Sequence, residues 1–152
     1  MTERSRNALQ NFADGCNCAQ AVMAAYADVM HLTREQALRL AAGFGGGMGR
    51  LRRDCGAYTA AVMLVCAMEE GASEAPENRA RLYTRVQRLY GDFVARLGTV
   101  NCAKLLGKPE GAESPVPDPR TKAYYASRPC ANIIRIACEI IDEHLAEGGK
   151  AP

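Results

Sequence analysis

Apolar residues recur every three or four positions along most of the chain, which is the spacing of helices with one buried face. A short first helix is predicted over residues 3–13, and the segment 18–29 repeats apolar residues on one face. The next helix begins with a capping box, Thr33 followed by Gln36, and continues to Phe44. Because no segment alternates with a period of two, the pattern predicts an all-α fold, a helical bundle.

The second half of the chain continues this pattern. After a predicted loop at 71–76, residues 77–98 are expected to form a long amphipathic helix that ends at a glycine and carries its arginines on a solvated face. Residues 101–107 read as a single helical turn, capped by asparagine and closed by glycine. Residues 108–120 contain four prolines and are predicted to be an irregular surface connection. A last helix is predicted over 131–146, opened by the preceding Pro-Cys pair.

The stretch 43–68 combines a glycine run, three arginines and a cysteine at the start of an apolar helix. Glycine tolerates positive φ, so a sharp turn is predicted here and a continuous helix is not. Asp54 is the predicted N-cap, which places Cys55 at or near the first helical residue. A helix start and nearby arginines lower the pKa of a thiol, although Asp54 opposes them. Cys55 is therefore interpreted as a reactive or metal-binding thiolate, or else as a small buried residue.

Composition narrows the possible functions. A chain of 152 residues that is 48% hydrophobic predicts one globular domain spanning residues 1–152. A net charge of +2 with interspersed acids and bases does not favour a nucleic-acid partner. The N-terminus shows no signal-peptide pattern, and the longest apolar run, about 13 residues, is too short for a membrane span. A cytoplasmic location is the resulting expectation.

Seven cysteines are many for a reducing compartment, where such usage points to metal binding or redox chemistry. There is no CxxC, so local spacing supports neither a zinc ribbon nor a thioredoxin-type pair. Cys66 and Cys138 lie within apolar helices and are interpreted as packing residues. The remaining candidates lie on four separate elements, three of them at predicted helix starts, and a bundle can bring those elements to one end: Cys18, Cys55, Cys102 and Cys130.

These cysteines and their surroundings resemble the C_GCAxxG_C_C family, whose members are described as redox-active. The family's CGAxxG motif matches residues 55–60, which follow the glycine-rich GFGGGMGR, and Ala60 stands where the motif has its closing glycine. The other family cysteines match Cys18 in NCAQAV, Cys102 in NCAKLLG and Cys130 in RPCANII. The resemblance covers nearly the whole chain. It implies a small helical protein with four characteristic cysteines, often encoded near transporter genes, and strengthens the case that Cys55 is functional.

Three hypotheses follow. In the first, the chain is a thiol-based redox protein, similar to a thiol–disulfide oxidoreductase and needing no cofactor: Cys55 attacks, and Cys18, Cys102 or Cys130 resolves the mixed disulfide. In the second, the same four cysteines hold an iron–sulfur cluster or zinc in a binding or electron-transfer protein. In the third, the chain is a non-catalytic helical module associated with a transporter. The expected partner is a redox partner protein or a transporter-linked protein.

Two further features are interpreted more conservatively. Residues 45–53 bring amides and arginines together ahead of Cys55, as an anion site would. They match neither GxGxxG nor a P-loop, so a tight turn is the favoured interpretation. The two histidines, His31 and His144, are isolated in the sequence and are interpreted as surface residues.

Overall fold

The computed structural model of the chain describes residues 1–69 and 75–148, and these residues form helices joined by turns. The predicted all-α fold is confirmed. No helix in the described part is both long and apolar enough to cross a lipid bilayer. The helices are α1 (Glu3–Ala13), α2 (Cys18–Ala25), α3 (Arg34–Ala41), the single turn α4 (Gly45–Met48), α5 (Gly56–Met68), α6 (Pro76–Leu97), α7 (Cys102–Leu106), α8 (Lys122–Ser127) and α9 (Cys130–Glu147), with 3₁₀ turns at Ala27–Met30 and Ala42–Phe44.

Helix α5 lies at the centre of the bundle and packs against α2, α6 and α9, while α9 also packs against α1. Small side chains such as Ala57, Ala60 and Ala61 are fully buried on α5 and allow its neighbours to come close. Leu64 and Val65 fill the space beyond them, and burying each such side chain stabilises the fold by roughly 1.5–3 kcal/mol. The core thus fixes the start of α5 against the starts of neighbouring helices.

Several helix ends follow their predicted capping residues. The Thr33 side chain accepts a hydrogen bond from the Gln36 amide, completing the predicted capping box. Asn101 caps α7 in the same way. Gly98 and Gly107 end α6 and α7 with left-handed backbone, a conformation in which glycine avoids the steric cost of a side chain.

The predicted start of α5 is wrong by one residue, because Cys55 and not Asp54 is the N-cap. The Cys55 amide donates to the Val100 carbonyl at 2.7 Å, and the Cys102 amide donates to the Arg53 carbonyl at 2.6 Å. The two segments therefore pair as a short antiparallel bridge, and this pairing takes the place of a side-chain cap at Asp54. The same bridge sets Cys55 and Cys102 close together in the fold.

The solvent exposure of two residues, Cys66 and His144, differs from the prediction. Cys66 is exposed, although it was predicted to pack, because α5 is apolar around most of its circumference and spacing alone does not identify its exposed side. Cys138 is fully buried, as predicted. His144 is buried instead of lying on the surface, and its Nε2 lies 2.8 Å from an Asp92 carboxylate oxygen.

One helix was not predicted, and the boundaries of two other elements differ from those expected. Helix α8 was not predicted; its N-cap, Thr121, accepts a hydrogen bond from the Tyr124 amide, and this capping residue was the available signal. The predicted loop at 71–76 lies mostly outside the described residues, although Pro76 does open α6. The last helix begins at Cys130, one residue earlier than predicted.

Candidate functional site

A cavity of about 320 Å³ lies where the first residues of α2, α5, α7 and α9 face one another. The structure brings together around it the four cysteines that the sequence singled out. Its volume is at the lower end of the range for small-molecule sites. The cysteines that line it are Cys18, Cys55, Cys102 and Cys130.

The glycine run forms one wall of this cavity as a left-handed turn. Five consecutive residues, 46–50, have φ between 59° and 69°. The amides of Arg52 and Arg53 donate to the carbonyls of Gly46 and Gly47, at 3.2 and 2.9 Å, and close the turn. A left-handed turn costs roughly 1–2 kcal/mol for each residue that carries a Cβ, which explains why glycine occupies most of it. The predicted break in helicity is confirmed.

Glycines also allow the backbone to touch the cysteines. A Cβ on Gly56 would lie 2.6 Å from the Cys18 sulfur, and one on Gly47 would lie 2.5 Å from the Cys102 Cβ. Gly56 is the second residue of the CGAxxG motif, so the motif glycine has a physical reason: it leaves room for the neighbouring thiol. Ala60, which replaces the motif's last glycine, is fully buried in the core and does not line the cavity.

Cys18 is the thiol whose anion the site stabilises. Its pKa is lowered to about 6, chiefly because the Cys55 thiol donates a hydrogen bond to it. The backbone amides of Gly46, Ala19 and Gly56 also stabilise the anion, while burial opposes it. Cys18 is the first residue of α2, so the dipole of that helix acts in the same direction.

The pKa of Cys55 is shifted in the opposite direction. The neighbouring Cys18 sulfur and burial raise the pKa of Cys55 well above its ordinary value, and the amides of Tyr58 and Ala57 offset this only in part. The sequence left the direction of the Cys55 pKa open, with the helix start and arginines on one side and Asp54 on the other, and the structure raises it. Two thiols that share one site do not both ionise readily, and the surrounding amides favour the charge on Cys18.

The other two cavity cysteines are protonated at neutral pH. Burial raises the pKa of Cys102, although the Arg52 guanidinium, 3.7 Å from its sulfur, opposes that shift. Burial and then the Cys18 charge raise the pKa of Cys130 to about 11. Cys130 therefore responds to the charge on Cys18 across the same cavity.

The four cysteines line one space without forming a ready ligand cluster. Within residues 1–69 and 75–148, no three histidine, cysteine or acidic side chains are grouped closely enough to hold a metal ion. Thiolate ligands of zinc converge to about 2.3 Å from one point, and iron–sulfur clusters also need all their thiolates together. A metal or cluster would require these side chains to move closer together than they lie in this structure.

Arginines on the glycine turn anchor the connection between α7 and α8. Arg52 is only 1% exposed and donates to both carboxylate oxygens of Glu113, at 2.9 and 3.0 Å. Arg50 bonds to Glu113 and also lies 3.4 Å from Asp118. The guanidinium of Arg52, followed by the ammonium of Lys108, lowers the pKa of Glu113 to about 2. These ion pairs hold residues 108–118 over the cavity.

Two further arginines reach the cavity from the α8 region. Their guanidinium carbons lie 4.6 Å (Arg120) and 4.5 Å (Arg128) from the centre of the Tyr124 ring, which they flank. Arg128 is paired with Asp118, whereas Arg120 donates to the Cys16 carbonyl at 3.3 Å. The sequence analysis did not identify either residue. Arg128 is two positions before Cys130, but no pattern sets it apart from the other arginines, and Arg120 reaches the site through the distant Cys16 carbonyl.

Comparison with known proteins adds one finding. A protein-family model described as "Putative redox-active protein (C_GCAxxG_C_C)" matches residues 16–144, which include all four cavity cysteines. Comparisons with curated proteins and with solved structures gave no match.

Proposed function

The chain belongs to the C_GCAxxG_C_C family, and we propose that it is a thiol-based redox protein whose working pair is Cys18 and Cys55. The observation that carries the proposal is that Cys18 and Cys55 line one cavity, with the Cys18 sulfur packed against Gly56, the residue next to Cys55; their pKa values are shifted in opposite directions. A thiolate is the nucleophile in disulfide exchange, and a neighbouring thiol is what resolves the product. The roles are the reverse of those expected from the sequence, where Cys55 was the attacking residue.

The proposed reaction proceeds in two exchanges. The Cys18 thiolate attacks one sulfur of a disulfide, forms a mixed disulfide and releases the first substrate thiolate, which takes up a proton. Cys55 then loses its proton and attacks the Cys18 sulfur, which releases the second thiolate and leaves a Cys18–Cys55 disulfide. Two electrons pass from the cysteine pair to the substrate, while one proton comes from Cys55 and the other from water, so that the substrate becomes two thiols.

The environment of Cys55 suits this order of events. Its pKa is raised chiefly by the neighbouring Cys18 sulfur. Once Cys18 is bound in a mixed disulfide, that sulfur no longer carries a charge, so the main obstacle to ionising Cys55 is removed. Cys102 and Cys130 line the same cavity, so a disulfide from Cys18 to either of them is the outcome that would exclude Cys55 as the resolving residue.

The test is a thiol count on protein purified anaerobically, together with metal analysis and a visible absorption spectrum. We expect oxidation by a small disulfide to remove two titratable thiols and reduction to restore them. Cys18→Ser should abolish that difference, whereas Cys55→Ser should reduce it to one thiol, because Cys18 is then trapped as a mixed disulfide. Cys66→Ser and Cys138→Ser serve as controls, because neither residue lines the cavity, and both variants should still lose two thiols.

A different result would overturn the proposal. About one metal ion or cluster per chain, lost when the four cavity cysteines are changed to Ser, would support the ligand hypothesis instead. A thiol count that does not change on oxidation would contradict the redox pair directly.

A further inference from the structure

The cavity that holds the reactive pair carries more positive than negative charge. Its lining includes four arginines, and Asp118 is the acidic side chain among the lining residues that the structure describes. Counting the Cys18 anion and the nearby Glu113 carboxylate still leaves an excess of positive charge. A cleft lined by one sign of charge concentrates ligands of the other sign. The arginines are Arg50, Arg52, Arg120 and Arg128.

Arg120 differs from the other three arginines in having a charge that no acidic side chain in the described residues offsets. The other three are paired with Glu113 or Asp118, whereas Arg120 has no acidic partner within the described residues. It is held by stacking on Phe12 and Tyr124 and by the Cys16 carbonyl, none of which neutralises its charge. Its Nη1 is buried without a hydrogen-bond partner in the described part of the chain. A charged group left in this state is costly unless a ligand compensates it.

Arg120 is also held against the segment of chain that carries the reacting sulfur. The carbonyl to which it donates belongs to Cys16, two residues before Cys18. Arg120 and Cys18 line the same cavity, so one small molecule can reach both. Guanidinium groups bind carboxylates with two parallel hydrogen bonds, which fixes the orientation of the bound molecule as well as its charge.

The size and lining of the cavity limit what can enter. Cys55 is only 6% exposed and Cys18 is half-buried, and both line a space of about 320 Å³. A disulfide in a folded protein would have to bring two chain segments into that space, whereas a small molecule would not. Apolar lining residues, including Leu105 and Ile133, suit the short aliphatic arm of such a molecule.

We infer that the substrate is a small disulfide that carries a carboxylate or a similar anionic group, which Arg120 binds while Cys18 attacks a sulfur. This inference rests on the proposed function. The reaction reduces the disulfide to two thiols and oxidises the Cys18–Cys55 pair to a disulfide, so the anionic disulfide is itself the oxidant. Positive charge then also stabilises the anionic thiol as it leaves.

The experiment compares three short disulfides that differ mainly in charge: dithiodipropionate (anionic), hydroxyethyl disulfide (neutral) and cystamine (cationic). The rate at which each disulfide oxidises the reduced protein is measured in a single turnover at pH 7. Each rate is then divided by the rate at which the same disulfide reacts with free 2-mercaptoethanol, which corrects for the intrinsic reactivity of the disulfide. We expect the normalised rate for the anionic disulfide to exceed the neutral one by about tenfold or more, with the cationic one slowest. Added salt should reduce this preference in the wild-type protein.

Variants assign the preference to one residue. Arg120→Gln should remove most of the rate preference for the anionic disulfide. Arg120→Lys should retain part of that preference, since lysine keeps the charge but cannot form two parallel hydrogen bonds to a carboxylate. Arg96→Gln is the matched control, because it changes net charge equally on exposed α6 and should leave the preference intact. The salt dependence of the wild-type protein provides the test if an Arg120 variant does not fold.

The possible results distinguish the inference about an anionic substrate from the proposed redox function. Equal normalised rates for all three disulfides, with a Cys18–Cys55 disulfide still formed, would overturn the inference and leave the proposed function standing. An anionic preference that Arg120→Gln leaves unchanged would overturn the role of Arg120. Failure of every reagent to oxidise the pair would contradict the proposed function itself.

Discussion

The proton shared between two neighbouring sulfurs decides the chemistry of the site at the scale of single residues. Cys18 receives a hydrogen bond from the Cys55 thiol and is surrounded by backbone amides, whereas Cys55 is buried beside a negative charge. The difference arises from tertiary contacts, because both residues lie at helix starts. A helix start alone therefore does not identify the reactive thiol.

This arrangement predicts the pH dependence of Cys18 alkylation. Because only the thiolate reacts, the rate with iodoacetamide should reach half its maximum near pH 6, well below the ordinary thiol value of 9.0. Cys55→Ala removes the donor and should move that midpoint upward, whereas Cys55→Ser keeps a donor and should move it less. A wild-type midpoint near pH 9 would contradict the assignment.

The left-handed glycine turn gives a prediction at the scale of elements. Gly47→Ala should lower the free energy of unfolding by about 1–2 kcal/mol for its positive φ, and further because the new Cβ would lie 2.5 Å from Cys102. Gly107→Ala is the matched control, since Gly107 has similar φ but no atom within 4 Å of the new Cβ. Urea unfolding of the reduced proteins measures the free energy of unfolding of both variants. An equal decrease for Gly47→Ala and Gly107→Ala would show that the close contact with Cys102 is unimportant.

A glycine-to-alanine substitution should stabilise the protein in α6 and destabilise it in α5. Gly91 lies in exposed α6 with open space around it, so Gly91→Ala should raise the free energy of unfolding by up to about 1 kcal/mol. Gly56→Ala should lower it by about 1–3 kcal/mol, because the added methyl would overlap the Cys18 sulfur. The Gly56 variant should also shift the alkylation midpoint of Cys18, while the Gly91 variant should not.

Most elements follow from the sequence because their signals are local. Capping by Thr33 and Asn101 and termination by Gly98 depend on neighbours a few residues away. The start of α5 was misplaced because its amides pair with a segment near residue 100, a contact that is distant along the chain. Likewise, four candidate cysteines were identifiable from their positions, but which two would touch depends on how α2 packs against α5.

At the scale of the whole molecule, the ion pairs of Glu113 join the connection after α7 to the glycine turn. This brings chain segments about sixty positions apart together beside one cavity. The charged residues of that connection carried no motif, so the sequence could not reveal that they line the site. Arg120 likewise reaches the site by donating to the Cys16 carbonyl, 104 positions away along the chain, and the sequence carries no signal for such a contact.

The Glu113 pairing predicts how stability changes with pH. The native pKa of Glu113 lies near 2, below the ordinary 4.5, so its stabilising contribution is complete above about pH 4.5 and is lost as pH falls toward 2. Glu113→Gln should therefore lower the free energy of unfolding at pH 7 by about 1.5–3 kcal/mol. The gap between variant and wild type should narrow as the pH is lowered through that interval.

A control separates this effect from a general loss of charge. Glu147 pairs with Arg88 on the exposed surface, so Glu147→Gln should change unfolding much less than Glu113→Gln. Urea unfolding at several pH values measures both variants. A gap between Glu113→Gln and wild type that stays constant down to pH 2 would contradict the lowered pKa.

The most direct test of the account is to identify the disulfide that forms on mild oxidation. Trypsin places Cys18, Cys55, Cys102 and Cys130 on four different peptides, but Cys16 accompanies Cys18 and Cys66 accompanies Cys55. The measurement therefore uses a Cys16→Ser, Cys66→Ser variant, digested without reduction and analysed by mass spectrometry. A link between residues 7–34 and 54–79 would identify the Cys18–Cys55 pair, as the account predicts. A link that leaves out either peptide, or none at all, would contradict it.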